Sequence, residues 1–245
     1  MSRWLFDLGN TRLKCAPLDD DGRIGAVHAI AHDGTQFEAG LAAALPARFD
    51  AACIASVASV DLRVRLLDAL AAHCPRLSLA STRRRFDGVS IAYPQPGRLG
   101  VDRFLALVGA HARGGGSTLV VGVGTALTVD WLDGDGCHRG GRIAPSPTLM
   151  REALHARAAQ LPEAGGRYAE FADDTGDALE SGCTGAALAL VERSLQATAA
   201  QAGAMPRLLL HGGGSAALRT LLPQAIDAPT LVLEGLARWA QADAL

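Results

Sequence analysis

The sequence predicts an α/β fold made of two related domains, residues 1–114 and 115–245, with a cleft between them. Three observations predict it. Apolar runs of strand length alternate with runs of helical spacing along the chain. The short apolar run "DAACIASVAS" (Asp50–Ser59) has the character of a strand buried in a parallel sheet. The opening pattern of apolar strand, glycine turn with threonine, apolar strand and acidic glycine turn then returns after about 115 residues.

Each element follows in order. "RWLF" (Arg3–Phe6) predicts a first strand, running into the turn Gly9-Asn10-Thr11. "LKCAPLDDDGRIGAVHAI" predicts a second strand, a turn over Asp19–Gly22 and a third strand. A helix is expected near Phe37–Leu45, and the buried strand follows at Asp50–Ser59. Leu62, Leu66, Leu67 and Leu70 are spaced as one helix face, and "LSLAS" returns to strand character. After Pro94 and Pro96 a helix is expected from about Val101, stopped by Gly114–Gly116. The pattern then restarts with "STLVVGVGTALTVDWLDGDG". Setting Asp7-Leu8-Gly9 beside Gly122-Val123-Gly124 brings "DDDG" and "DGDG" within one residue of register. A helix over Pro147–Gln160, the polar loop "PEAGGRYAEFADDTGD" and a long helix through "LESGCTGAALALVERSLQATAAQAG" come next. "RLLLHGGGSAALRTLLP" reads as strand, glycine turn and helix, and "PTLVLEGLARWAQA" as a strand and closing helix.

Composition excludes several classes of function. About half of the 245 residues are apolar, enough for a sizeable core. The net charge of -2 gives no strong attraction to nucleic acid or to a membrane surface. Five scattered cysteines with no Cys-x-x-Cys pair are expected to be reduced thiols of a cytoplasmic protein, and argue against zinc. No signal peptide is expected, because no basic region leads into a long apolar run. No apolar stretch reaches the roughly 18 residues of a spanning helix.

Three glycine turns could present backbone N–H groups to a polyanion: Asp7–Thr11, Gly122–Thr125 and Gly212–Ser215. None is a P-loop or a full Gly-x-Gly-x-x-Gly opening a helix. The first is the richest. Asp7 is a carboxylate at a strand end, suited to Mg²⁺. Asn10 and Thr11 add polar side chains, and Lys14 is the only lysine among 23 Lys and Arg residues. In a chain that otherwise uses arginine, a site needing a compact ammonium explains the exception. The alternative is a plain hairpin turn with an Asx cap and an exposed lysine. In "YPQPGRLGVDRFLA", Asp102 and Arg103 sit at a helix start. The helix dipole favours an acid there, and phosphoryl transfer to a hydroxyl needs a carboxylate base. Weaker features are Arg83–Arg85, read as a solvated basic run, and His211, read as structural. A helix cap is expected at Asp174 or Thr175.

Taken together, "DLGNTRLK", "YPQPGRLGVDR", "GTALTVD" and "GGRIAPS" resemble, in order and spacing, the motifs of the type III pantothenate kinases. That resemblance implies two ribonuclease H-like (actin-like ATPase) domains and ATP-dependent phosphorylation of pantothenate. It places Asp7, Leu8, Gly9, Asn10, Thr11, Arg12, Leu13 and Lys14 on the ATP phosphates, with Asp7 on Mg²⁺, and Thr125 on ATP. Asp102 would be the general base, and Tyr93, Gly100, Val101 and Arg103 would contact pantothenate. Thr175 would reach the substrate across a homodimer, whose interface motif here ends in Ser146 instead of glycine. The glycines at 212–214 match an adenosine-side turn. The family commonly has an aspartate that binds a monovalent cation where this chain has Gly122, so a requirement for K⁺ or NH₄⁺ is not expected. No other acidic residue lies within that turn; Asp130, at the end of the following strand, is expected across the hairpin from it. Two other readings are a non-catalytic nucleotide-binding regulator of gene expression and a kinase for another small hydroxylated acceptor. A pure binding module needs no base at position 102.

Overall fold

The computed structural model describes residues 2–37, 41 and 44–242. The helix expected near Phe37–Leu45 lies largely outside the described residues. In chain order the strands and helices are β1 (Arg3–Leu8), β2 (Arg12–Leu18), β3 (His28–Ala31), β4 (Ala51–Ser56), α1 (Val60–Ala71), β5 (Leu77–Leu79), β6 (Arg85–Phe86), β7 (Val89–Ser90) and α2 (Val101–Ala112). These are followed by β8 (Thr118–Val123), β9 (Ala126–Leu132), β10 (His138–Pro145), α3 (Pro147–Arg157), α4 (Thr175–Ala202), β11 (Arg207–His211), α5 (Ser215–Arg219), β12 (Ile226–Asp227) and α6 (Leu231–Ala242).

The chain forms two compact units, one of residues 1–114 with 230–245 and one of residues 115–229. The first holds a five-stranded sheet in the order β3-β2-β1-β4-β5. β1 pairs antiparallel with β2 and parallel with β4. β4 is buried along all but its last residue, as its apolar run demands. The core on one face joins Phe6, Leu8, Leu13 and Ile54 to Leu62, Leu66 and Leu70 of α1. Ser59 caps that helix, its hydroxyl accepting from Leu62 N–H at 3.3 Å.

The second unit repeats the topology, with the order β10-β9-β8-β11-β12. β8 is antiparallel to β9 and parallel to β11. Leu119, Val121, Val123, Leu127 and Val129 pack against Ala187, Leu188, Val191 and Leu195 of α4. The duplication legible in one hairpin thus extends to whole sheets with one strand order.

Three features differ from the sequence expectation. The run Leu231–Leu233, expected as a strand, is the first turn of α6, and its three side chains are buried. A stretch buried on every side shows no period to tell helix from strand. The short pair β6–β7 turns at Asp87 and Gly88, with φ of 47° and 83°. Asp-Gly is the signature of such a turn.

The third feature is the position of α6, expected with the second unit but packed in the first. Gly109 of α2 and Gly235 of α6 meet where a Cβ on either would collide with a backbone carbonyl of the other helix, that of Leu231 or Leu105. The two glycines let the helix backbones touch. Residues 103–110 of α2 are buried as a result. Arg113 clasps Glu234 through two hydrogen bonds of 2.7 and 2.6 Å.

Candidate active site

The β1–β2 register sets Asp7 directly opposite Lys14. Their neighbours Phe6, Leu8, Leu13 and Cys15 belong to the core on the α1 face. Alternation therefore sends Asp7 and Lys14 together to the other face. Leu8 and Leu13, expected on the phosphates, offer only their backbone there.

The turn between the two strands is braced from both sides. Gly9 N–H donates to Arg12 O at 3.0 Å. Gly34 N–H donates to His32 Nδ1 at 3.2 Å, which leaves the ring proton on Nε2 to donate to Gly9 O at 3.0 Å. Beyond β4, Val57 N–H donates to Leu8 O at 3.0 Å. Asn10, Thr11 and Arg12 are left exposed.

Asp102 arrives from the first turn of α2. Its Oδ1 accepts from Arg103 N–H at 2.8 Å, and the carboxylate leans over Gly100. A Cβ at position 100 would stand 2.6 Å from that oxygen, so the glycine makes room for the acid. Arg103 is buried, and its Nη1 donates to the Tyr93 hydroxyl at 3.4 Å. Its guanidinium carbon lies 6.0 Å from the centre of the Tyr93 ring. Thr82 Oγ1 fixes the preceding loop by donating to Leu99 O at 2.7 Å. Asp7, Lys14, Asp102, Gly100, Val101, Arg103 and Tyr93 all belong to the first unit.

The two carboxylates feel one another. Burial first, and then the negative charge of Asp102, push Asp7 up to about 7, while Lys14 pulls it down. Two acids and one ammonium form a site short of positive charge. Mg²⁺ is usually held by one or two carboxylates together with substrate phosphates. The described residues hold no cluster of three or more metal-ligating side chains. The acids therefore fit an ion that arrives with phosphates, and do not form a cage for a resident one.

A stability prediction follows. As pH rises from 3.8 to about 7, the unfolded Asp7 ionises while the folded one resists, so stability falls across that window. Asp7→Asn should raise Tm at pH 8, by roughly 2–4 °C per kcal/mol of repulsion removed. Little of that gain should remain at pH 4. Equal Tm differences at both pH values would show that no such repulsion exists.

In the second unit, Thr125 is exposed in the two-residue turn between β8 and β9. Asp174, not Thr175, caps α4, accepting from Gly176 N–H at 2.7 Å and Asp177 N–H at 3.2 Å. Thr175 is the exposed first residue of the helix. Ser146 is buried and caps α3, accepting from Leu149 N–H at 3.2 Å, which explains a serine at that position. Gly122 lies beneath the imidazole of His211 and the hydroxyl of Thr128. Asp130 is no replacement at Gly122. It pairs with Val120, and its Oδ1 lies 3.0 Å from the buried His138 Nε2. The glycine turn 212–214 packs on the end of β8, with Gly214 N–H donating to Val123 O at 2.9 Å. Sequence reasoning missed the brace by His32, whose partners are backbone atoms and leave no motif. It also read His211 as structural without seeing that parallel pairing brings it beside Gly122.

Comparisons with known proteins point one way. Residues 4–197 match the family model described as type III pantothenate kinase. The type III pantothenate kinase of Xanthomonas campestris pv. campestris (strain B100) is 56% identical over 240 residues, covering 98% of each chain. A chain from Campylobacter jejuni, described as a candidate Baf family transcriptional activator, has a TM-score of 0.64 at 18% identity and covers 99% of this chain and 100% of its own. An archaeal actin homolog has a TM-score of 0.52 at 12% identity, covering 100% of both chains. These two structures speak for an actin-like α/β fold alone. No helix among the described residues is long and apolar enough to cross a membrane.

Proposed function

The chain belongs to the type III pantothenate kinase family, and from that premise we propose how Asp7, Lys14 and Asp102 serve its reaction. The reaction is ATP-dependent phosphorylation of pantothenate to 4′-phosphopantothenate, the first step of coenzyme A biosynthesis. The observation that supports the roles is the meeting of one ammonium and two mutually repelling carboxylates beside a braced glycine turn.

Asp102 accepts the proton of the attacking pantothenate hydroxyl. Lys14 sets a compact positive charge on the transferring phosphates, and the turn from Leu8 to Leu13 offers them backbone N–H groups. Asp7 would hold Mg²⁺, which would neutralise charge on the phosphates when bound. Tyr93, Gly100, Val101 and Arg103 shape the pantothenate pocket, and the guanidinium of Arg103 suits the carboxylate of that substrate. Thr125 contacts ATP. The site needs no monovalent cation, because Gly122 brings no carboxylate to hold one. The enzyme works in the cytoplasm.

The test is a coupled ADP-release assay with and without pantothenate, in sodium, potassium and ammonium buffers of equal ionic strength. Release that requires pantothenate and Mg²⁺, at like rates in all three buffers, is the expected result. Release indifferent to pantothenate would overturn the assignment. Many-fold, saturable activation by K⁺ would overturn the cation reading alone.

The functional unit is a homodimer in which Thr175 serves the partner subunit's site. Mixing an Asp102→Asn chain with a Thr175→Ala chain, each inactive alone, should restore partial activity, since a heterodimer keeps one intact site. An active monomer in sedimentation would rule this out.

A further inference from the structure

Across the second sheet, the β9–β8–β11 register sets Thr128, Gly122 and His211 in one row. The residues flanking that row, Val121, Val123, Leu127, Val129 and Leu210, belong to the core under α4. Thr128, Gly122 and His211 therefore stand on the opposite face. A Cβ at position 122 would lie 2.7 Å from Thr128 Oγ1 and 2.9 Å from His211 Nε2. Hydroxyl and imidazole converge over the glycine, and the ring can sit there because position 122 carries no side chain.

His211 leads directly into the second glycine turn. Gly212 has φ +96° and packs so tightly on the carbonyl of Val123 that no Cβ would fit. With the bond from Gly214 N–H to Val123 O, this joins the two turns into one seam at the carboxyl ends of β8 and β11. Over Thr118–Val129 and His211–Leu218, His211 is the only side chain that can carry a charge. The matching hairpin of the first unit has Lys14 opposite Asp7, where the second unit has Thr128 opposite Gly122. On the same face, two residues further along β9, stands Asp130, whose Oδ1 lies 3.0 Å from His138 Nε2.

A polyanion cradled by backbone N–H groups gains most from a cation placed beside them. We propose that His211 is a nucleotide-binding residue, its imidazole donating to phosphate oxygens of the nucleotide held along the seam of turns 123–125 and 212–214. The inference rests on reading those turns as the ATP site. His211 lies outside the residues 4–197 matched by the family model.

The test combines calorimetric binding of Mg²⁺–ADP with separate KM values for ATP and pantothenate, in the full-length chain. His211→Ala and His211→Gln should raise the Kd for ADP and the KM for ATP roughly tenfold, the loss of one charge-assisted hydrogen bond. KM for pantothenate and Tm should stay near wild type. Gly122→Ala should expel the ring and weaken ADP to a similar degree. In the His211→Ala background it should weaken ADP binding little more, since the ring it would expel is already gone, while any cost of crowding Thr128 Oγ1 appears in Tm. Unchanged ADP binding in both His211 variants would overturn the proposal. So would a lowered Tm with both KM values rising together, which is the mark of a purely structural side chain. If the wild-type chain binds no ADP, the reading of the turns fails and this inference falls with it.

Discussion

Asp102→Asn lowers kcat by about 10²–10⁴-fold, the range for loss of a general base, with the fold intact. Asparagine keeps the shape of the side chain and can still accept from Arg103 N–H, as Asp102 Oδ1 does at 2.8 Å. The first turn of α2 is therefore preserved while the proton acceptor is lost. The substitution also removes the charge that helps push Asp7 up to about 7, so Asp7 ionises more readily in the variant. Binding of Mg²⁺ and ATP should hold or tighten while turnover collapses. Loss in kcat without loss in KM for ATP is the pattern to measure. A folded Asp102→Asn protein with near-normal turnover would remove Asp102 from the mechanism.

Lys14→Arg keeps the charge and should still impair ATP use, by roughly tenfold or more in kcat/KM for ATP, the scale of a lost charge-assisted hydrogen bond. The reason is local. Position 14 faces Asp7 across the hairpin, with Asp102 close enough to act on Asp7. A planar guanidinium in that place would fork onto the carboxylates that ATP and its metal need, where an ammonium offers a point charge that phosphate can share. KM for pantothenate should move less than KM for ATP. Unchanged ATP kinetics would mean that the lone lysine in a chain otherwise built on arginine has no bearing on catalysis.

Much of this was legible in the sequence because it is encoded locally. The repeated strand–turn–strand pattern foretold two units, and the sheets share one order. The pairing of Asp7 with Lys14 is one step back on either side of the loop Gly9–Arg12, which sets Leu8 opposite Leu13. What stayed hidden depends on distant partners. Nothing near Leu231 marks it as helical, because Leu231, Val232 and Leu233 are all buried and the contact of α6 with α2 depends on two glycines far apart in the chain. His32 and His211 act through backbone atoms and through strands paired across long stretches of sequence, so neither leaves a spacing to read.

The return of α6 to the first unit also bears on the order in which the protein can become active during synthesis. The helix headed by Asp102 emerges from the ribosome early, yet the helix that covers it is made only after all of residues 115–229. Throughout that interval the groove around Gly109 lies bare, and with it the apolar side of α2. A nascent chain halted between Ser215 and Leu231 would carry every residue proposed for the chemistry and still lack the clasp between Arg113 and Glu234 that fixes their scaffold. A product truncated before α6 therefore leaves the apolar side of α2 uncovered, the kind of exposed surface that favours aggregation.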